Sequence, residues 1–138
     1  MIFLIFLFAC SNAVSDLSSA KQMEEEGNLV QAFDQYVQVK TTYPNTDVSV
    51  QADKGLQRIY TQYAESKINT EPDVAIVIYK KMAERWENEE VGLRAQKAIK
   101  KISSEKVEKE RKVNEQTLFC NKAKAANSRV LWQQYKQN

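Results

Sequence analysis

Apolar residues recur along most of the chain at the three- and four-residue spacing of amphipathic α-helices. This spacing predicts a first helix from Asp16 to Glu26, which Gly27 ends as a glycine after a helix C-terminus does. It predicts a second helix between Asn28 and Tyr43-Pro44, and a third from about Val48 to Ser66. The first half of the chain is therefore predicted to consist of helices joined by short turns.

The fourth predicted helix, Val74 to Trp86, is apolar on nearly all sides, so we expect neighbours to pack on both of its faces. Asn69-Thr70-Glu71-Pro72 before it is a helix start signal. A fifth helix begins near Glu89 and carries apolar residues inward as far as Ile102. A final helix, or two short ones, is predicted from Leu118 to Gln137. The predicted fold class is all-α.

Composition agrees with a helical chain and removes several kinds of chemistry. The 138 residues allow one domain, or one domain plus a tether. Only 3 Gly and 2 Pro, with 28% charged residues, argue against a β-sandwich, a barrel or collagen. The chain has no histidine, which removes His-based acid–base catalysis, the usual triads and nearly all zinc sites. With no Gly-rich phosphate loop and no clustered carboxylate pair, we expect no enzyme, metal site or cofactor.

The amino terminus is an uncharged apolar run, Met1 to Ala9, followed by Cys10. It is too short to span a bilayer, which takes about 20 residues, but it has the length of a signal-peptide core. A buried strand or helix is the less favoured alternative, because consecutive bulky apolar residues cannot alternate between core and solvent. Ser11 to Ser15 is predicted to be a polar tether.

The four residues Leu7-Phe8-Ala9-Cys10 resemble the lipobox of bacterial lipoproteins. The resemblance implies that residues 1–9 are a signal peptide and residues 10–15 a lipidated tether. Cys10 would then carry a diacylglycerol thioether and an acylated amine, a firm anchor because each buried CH₂ contributes about 0.8 kcal/mol. Phe8 is bulkier than the usual residue there, and no Lys or Arg precedes the run. Ser11, where Asp would signal inner-membrane retention, implies the periplasmic face of the outer membrane.

A repeat connects the helices across residues 16–102. Gly27, Ala32, Tyr36 and Pro44 follow one another at offsets of 5, 4 and 8, and Ala75 with Tyr79 repeats the Ala-x-x-x-Tyr pair. This spacing resembles the tetratricopeptide repeat. The resemblance implies packing roles for Ala20, Gly27, Ala32, Tyr36, Pro44, Ala75 and Tyr79.

The resemblance implies antiparallel helix pairs of an α-solenoid, stacked in a right-handed superhelix. Small residues let helices approach closely, and the aromatic ring fills the gap to the next helix. Ala32 and Ala75 lie 43 residues apart, whereas the standard period is 34, so the intervening helix is predicted to be longer. The Trp and the Leu-Gly pair of the standard first helix are absent from their places.

Recognition in this family uses the concave side, which the first helix of each pair lines. For this chain the resemblance implies the helices Asp16 to Glu26 and Val48 to Ser66. The candidate binding residues are Lys21, Glu24, Glu25, Lys54, Gln57 and Arg58. A charged helix face is also typical of a merely solvated surface, and both interpretations stay open.

Residues 103–138 are predicted to form a basic helical segment, either a truncated further repeat or a natural end. From Arg94 onward the chain has 12 Lys/Arg and 4 Asp/Glu. Pairs four residues apart, such as Glu105–Lys109 and Glu108–Lys112, favour a solvated helix over a contact with an anionic partner. Nucleic acid is not expected, because no aromatic residues interleave the basic ones in a chain predicted to be exported.

Cys120 is the second of two cysteines, and it is left without a partner if Cys10 is lipidated. We expect a buried, inert thiol, with pairing to a residue beyond Asn138 or on another chain as the alternative.

These features predict a lipid-anchored periplasmic scaffold that binds envelope proteins in envelope or outer-membrane assembly. The chain is similar to periplasmic lipoproteins with tetratricopeptide-like repeats, among them the lipoprotein component of the outer-membrane β-barrel assembly machinery. The alternatives are a cell-wall-acting envelope enzyme or accessory factor, and a structural coiled coil. Ser103 to Lys112 offers only Val107 as an apolar residue, too few for heptads. The partner and the oligomeric state stay open.

Overall fold

The structure, a computed structural model, describes the backbone of residues 3–135 and the side chains of residues 12–127 and 129. Every regular element in that part is an α-helix, so the prediction of an all-α fold is confirmed. The helices are α1 (Phe3–Glu25), α2 (Leu29–Thr42), α3 (Asp47–Lys67), α4 (Pro72–Arg85) and α5 (Glu90–Tyr135). The predicted bounds of α2, α3 and α4 agree with these to within about two residues, which is the usual uncertainty of a helix end.

The chain divides into two units, Met1–Ala98 and Ile99–Asn138. In the first unit α1 packs on α2, α2 on α3 and α3 on α4. α1 also contacts α3, the next helix but one along the chain. The first three helices therefore contact one another in every pairing.

The turn between α1 and α2 depends on Gly27. Its backbone has φ +80°, a left-handed conformation that glycine adopts without steric cost. The Gly27 N–H donates to Glu24 O (3.1 Å) and the Asn28 N–H donates to Met23 O (2.9 Å), which together form a Schellman motif. The prediction that Gly27 ends the first helix is confirmed.

The next two helices begin by different local mechanisms. Thr46 caps α3, because its Oγ1 accepts a hydrogen bond from the Ser49 N–H at 3.2 Å. α4 instead begins at Pro72, and its N-cap residue Glu71 makes no side-chain capping bond. The start signal before α4 therefore acts through the fixed φ of proline at the first helical position.

The core of the first unit combines small and large side chains. Ala20, Ala32, Tyr36, Ala75 and Tyr79, all predicted to pack, are buried. Gly27 and Pro44 are exposed, as residues of turns usually are. From residue 12 onward, the other buried apolar residues of this unit are Ala13, Leu17, Val39, Ala52, Leu56, Ile59, Ala64, Ile78, Met82, Trp86 and Ala95.

The expectation of a separate tether before the first helix is wrong. α1 includes residues 10–15, and Ala13 and Leu17 within it are only 5% and 4% exposed. They stand four residues apart, so they share a helix face and extend it into the core. The side chains of residues 1–9 and of Cys10, on which the signal peptide and the lipidation are predicted, lie outside the described residues.

α4 is covered on one face only, contrary to the expectation of neighbours on both. Ala75, Ile78 and Met82 are buried, whereas Val74 is 36% and Val77 is 52% exposed. In the first unit α4 packs mainly on α3. A nearly continuous apolar sequence thus leaves part of its surface accessible.

The expectation of a separate final helix beginning at Leu118 is also wrong, because α5 is continuous over its 46 residues. No Gly or Pro follows Gly92 to interrupt it. In the second unit, carboxylates and cations one turn apart support the helix by ion pairs: Glu108–Lys112 at 3.4 Å and Arg111–Glu108 at 2.8 Å. Glu105 pairs with Lys101 at 3.9 Å rather than with the predicted Lys109.

Apolar side chains of the second unit are exposed beyond Ile102. Val107, Val113, Leu118 and Phe119 are each more than half exposed. Cys120 is exposed and forms no disulfide with a described residue, so the expectation of a buried thiol is wrong. Among the described residues, no helix is long and apolar enough for a membrane crossing.

A candidate binding groove in the first unit

A groove of about 790 Å³ lies on one side of the first unit. Side chains of α1 and α3 line it, together with α4 and the first turns of α5. The apolar part of its lining consists of Tyr79, Met82, Val91, Ala95 and Ala98. Its polar part consists of Glu24, Lys54, Gln57, Arg58, Thr61, Gln62, Glu65, Glu89, Glu90 and Arg94.

Four of the six residues predicted for the binding face line this groove: Glu24, Lys54, Gln57 and Arg58. Lys21 and Glu25 do not line it. Lys21 instead donates from Nζ to Gln51 Oε1 at 3.0 Å, a contact between α1 and α3.

The contribution of α4 and α5 to the groove was not predicted. The apolar residues Val91 and Ala95 of α5, one turn apart, were expected to point inward, but that spacing is the same for a core and for a groove. Only the arrangement of the helices decides whether these side chains lie in the core or line the groove.

Glu24, Tyr36 and Arg58 form one hydrogen-bonded cluster at the edge of the groove. Arg58 binds Glu24 through two bonds, Nε to Oε1 at 2.8 Å and Nη2 to Oε2 at 2.7 Å. The Tyr36 hydroxyl donates to Glu24 Oε2 at 2.6 Å. A paired guanidinium and carboxylate give the strongest class of side-chain hydrogen bond. The cluster joins α1, α2 and α3, so Glu24 and Arg58 already have a structural role.

The charges of this cluster shift the pKa values of its members in opposite directions. Hydrogen bonds from Arg58 lower the pKa of Glu24, with a smaller contribution from Tyr36, although burial acts against them. Burial and the hydrogen bond to Glu24 raise the pKa of Tyr36 well above its usual range. At neutral pH the cluster therefore contains a carboxylate, a guanidinium and an un-ionised phenol.

Asp53 on α3 is the centre of a second polar cluster, which sequence analysis missed. It accepts hydrogen bonds from Lys40 of α2, from Trp86 Nε1 at 2.7 Å and from Gln57 Nε2 at 3.3 Å. Burial acts to raise the pKa of Asp53, but the bonds from Lys40 and Trp86 and the Lys40 charge outweigh it, so the pKa lies below its usual value. The carboxylate thus ties α2 and α3 to the end of α4.

The lowered pKa of Asp53 predicts a loss of stability in acid. The stabilisation is complete above the pKa of the unfolded chain and disappears as the pH falls through the lower, folded-state pKa. We expect Asp53→Asn to lower the free energy of unfolding at pH 7 by about 1.5–3 kcal/mol. The difference from wild type should shrink below about pH 4, the ordinary aspartate pKa. Urea unfolding at several pH values measures this.

Asp34→Asn is the matched control for this prediction. Asp34 lies on α2, is exposed, and makes no hydrogen bond within the described residues. We expect its substitution to change the free energy of unfolding by less than about 0.5 kcal/mol. A pH-independent difference between wild type and Asp53→Asn would contradict the linkage.

Two charges in the groove lack partners of their own. Glu90 pairs with Arg94 at 2.5 Å, and Glu89 accepts from Gln57 at 2.8 Å. Lys54 and Glu65, both on α3, form no hydrogen bond or ion pair with any described side chain. They are eleven residues apart on one helix, or about 16 Å. The groove therefore offers a cation and an anion about three turns apart.

The charge of Glu65 reaches the apolar part of the groove. Burial raises the pKa of Tyr79, and the negative charge of Glu65 raises it further. Over the described residues, no buried polar side-chain atom lacks a hydrogen-bond partner, and no cluster of three or more Cys, Asp or Glu could hold a metal ion. The chemistry of the groove is that of a surface with apolar, cationic and anionic positions.

A smaller apolar pocket of about 260 Å³ lies between α2 and α3. It is lined by Leu29, Val30, Phe33, Ile59, Tyr60 and Tyr63. The Tyr60 ring packs edge-on against Phe33 and against Trp86, with both centroid distances at 5.6 Å. Such edge-to-face contacts stabilise aromatic clusters.

Comparisons of the chain with protein-family models, with curated proteins and with solved structures found no match.

Proposed function

We propose that the protein is a lipid-anchored scaffold of the bacterial periplasm that binds other envelope proteins, in the assembly of the envelope or the outer membrane. The observation that carries the binding role is the groove of about 790 Å³. Its lining combines apolar area with separate charges, as protein-binding surfaces do. The anchor rests on Leu7-Phe8-Ala9-Cys10 and its resemblance to the lipobox.

We further propose that the first unit is a tetratricopeptide-like α-solenoid of antiparallel helix pairs in a right-handed stack. The complete burial of Ala20, Ala32 and Ala75 supports this reading, as does the contact of α1 with α3. In such a solenoid the first helices of successive pairs, here α1, α3 and α5, line the concave side. The groove has lining residues from all three.

Lys54 and Glu65, which pair with no side chain among residues 12–127, define what the partner should offer. A segment that fits the groove would present an acidic side chain near Lys54 and a basic one about 16 Å away near Glu65. An apolar side chain of the same segment would contact Val91 and Ala98, the half-buried apolar residues of the lining. Charges of this kind set specificity and association rate more than affinity.

Charge reversal in the groove is expected to weaken partner capture by degrees. Lys54→Glu and Glu65→Lys should each cost about 1 kcal/mol of binding, roughly a fivefold loss, because few interface residues cost more. The loss is measured by capturing envelope proteins with increasing amounts of each lipidated variant and comparing the amounts captured. Variants at Glu24 or Arg58 are less informative, since their cluster also stabilises the fold.

Lys81→Glu and Glu84→Lys are the matched controls for these reversals. Both residues are exposed on α4 and neither lines the groove. We expect wild-type capture from both. Equal losses of capture in the groove variants and the control variants would show that the groove is not the binding site. An enzymatic role would replace the scaffold if one polar substitution abolished function while fold, anchoring and capture stayed intact.

Cys10→Ala is expected to leave a protein that carries no lipid and is released from the membrane fraction. The physical reason is that the thiol of Cys10 is the acceptor of the diacylglycerol group in the proposed anchor. Mass spectrometry of the mature amino terminus and membrane fractionation measure this. Cys120→Ser should remain lipidated and membrane-bound, and an unmodified native peptide spanning residues 9–12 would refute the anchor.

A further inference from the structure

The core of the first unit begins very close to Cys10. Ala13, three residues later, is only 5% exposed, and the backbone between them is helical. Along a helix three residues span about 4.5 Å. Even fully extended they span at most about 11 Å. An anchor at Cys10 therefore leaves no tether that could hold the unit away from a membrane.

Hydrogen bonds show which part of the unit lies at the Cys10 end of α1. The Tyr43 hydroxyl, after α2, donates to Asp16 Oδ2 at 2.8 Å. Asp53, near the start of α3, binds Lys40 near the end of α2 and Trp86 after α4. The turns 43–46 and 86–89 therefore lie at this end, which we call the near end.

The opposite end of α3 is far from the near end. α3 runs from Asp47, beside the first of these turns, to Lys67, a length of about 30 Å. The turn 68–71 that follows it is the far end. The near end and the far end are therefore about 30 Å apart, roughly the thickness of the hydrocarbon core of a bilayer.

We propose that the near end lies directly against the lipid surface and the far end points away from it. This orientation rests on the proposed lipidation of Cys10, and the short connection to Ala13 imposes it. Asp47, Glu87 and Glu89 at the near end are exposed carboxylates. They fit a zwitterionic headgroup layer better than an anionic one, because anionic lipids repel them within a Debye length of about 8 Å.

Energy transfer from the two ends to labelled lipids tests the orientation. In the lipidated protein with Cys120→Ser, no thiol remains, because Cys10 is a thioether. A single thiol is then added by Glu87→Cys at the near end or by Asn69→Cys at the far end, two exposed turn residues. Each is coupled to a donor dye, and the protein is placed in phosphatidylcholine vesicles that carry acceptor headgroups. We expect clearly higher transfer from Glu87→Cys.

A variant with a twenty-residue Gly/Ser insertion between Ser11 and Asn12 provides the control. A flexible linker of that length spans about 25 Å, so the difference between the two labels should shrink. Equal transfer from both labels without the insertion, or higher transfer from Asn69→Cys, would overturn the orientation while leaving the anchor in place. A titratable thiol in Cys120→Ser alone would show that Cys10 is not lipidated and would overturn both proposals.

Discussion

Gly55→Ala is expected to destabilise the protein by about 2–4 kcal/mol, although alanine is the better helix former by about 1 kcal/mol. A Cβ atom at this position would lie 2.6 Å from Tyr36 Cε1 and Cε2 and closer still to Cζ. The Tyr36 ring is completely buried, and its hydroxyl binds Glu24. The ring cannot move away without losing that packing and that bond.

Urea unfolding measures the effect of Gly55→Ala, and Gln62→Ala is its control. Gln62 lies on the same helix, is exposed and makes no hydrogen bond within the described residues, so its substitution should change stability by less than about 0.5 kcal/mol. The double variant with Tyr36→Ala tests the mechanism. If the clash with the ring is the cause, the two substitutions should be clearly non-additive. Additive losses would contradict it.

Gly92→Ala is expected to cost roughly 3 kcal/mol, because the clash is with backbone rather than with a side chain. An added Cβ would lie 2.7 Å from the carbonyl carbon of Trp86 and closer still to its oxygen. That oxygen accepts the Glu89 N–H at 3.0 Å in the turn between α4 and α5. The turn must open to admit a methyl group.

Thermal unfolding and amide hydrogen exchange measure the effect of Gly92→Ala. Exchange at Glu89 should accelerate, since its hydrogen bond to Trp86 would be displaced. Gln96→Ala, at an exposed position one turn further along α5, should leave both measurements unchanged. Wild-type exchange at Glu89 in Gly92→Ala would contradict a backbone clash.

Both glycines also position the groove. Gly55 allows Tyr36 to reach Glu24 and Arg58 at the edge of the groove. Gly92 lets the first turn of α5 lie against the Trp86 carbonyl, and Val91 and Ala95 of this part of α5 line the groove. Partner capture should therefore fall in both variants together with stability. The Lys54→Glu and Glu65→Lys variants separate binding from folding, because neither side chain makes a hydrogen bond or ion pair with the side chains that the structure describes.

Local sequence signals located most helix ends. Gly27 ends α1 because a left-handed residue there forms the Schellman bonds, and Pro72 begins α4 because its φ is fixed for a helix. For both helix ends the determining interaction lies within a few residues of the chain, so the sequence alone was sufficient. The burial of Ala32 and Ala75 agrees with the packing roles that the resemblance to a helical repeat implied.

The failures of the sequence analysis arise from contacts between distant residues. Ala13 extends α1 into the predicted tether because it is buried in the core of the first unit. Val77 stays exposed because no described side chain of the first unit covers it. Composition did not indicate either outcome. Helix extent and the burial of an apolar face are decided by neighbours rather than by propensity.

In the candidate site, too, local helix geometry was predictable from the sequence and contacts between distant residues were not. The sequence placed Glu24, Lys54, Gln57 and Arg58 on helix faces that line the groove. Only the tertiary structure decided that Arg58 and Glu24 bind each other across 34 residues of sequence, while Lys54 pairs with no side chain in the described part of the chain. A helix fixes which face a side chain occupies through its 3.6-residue period, but the partner of a charge depends on which helices pack together.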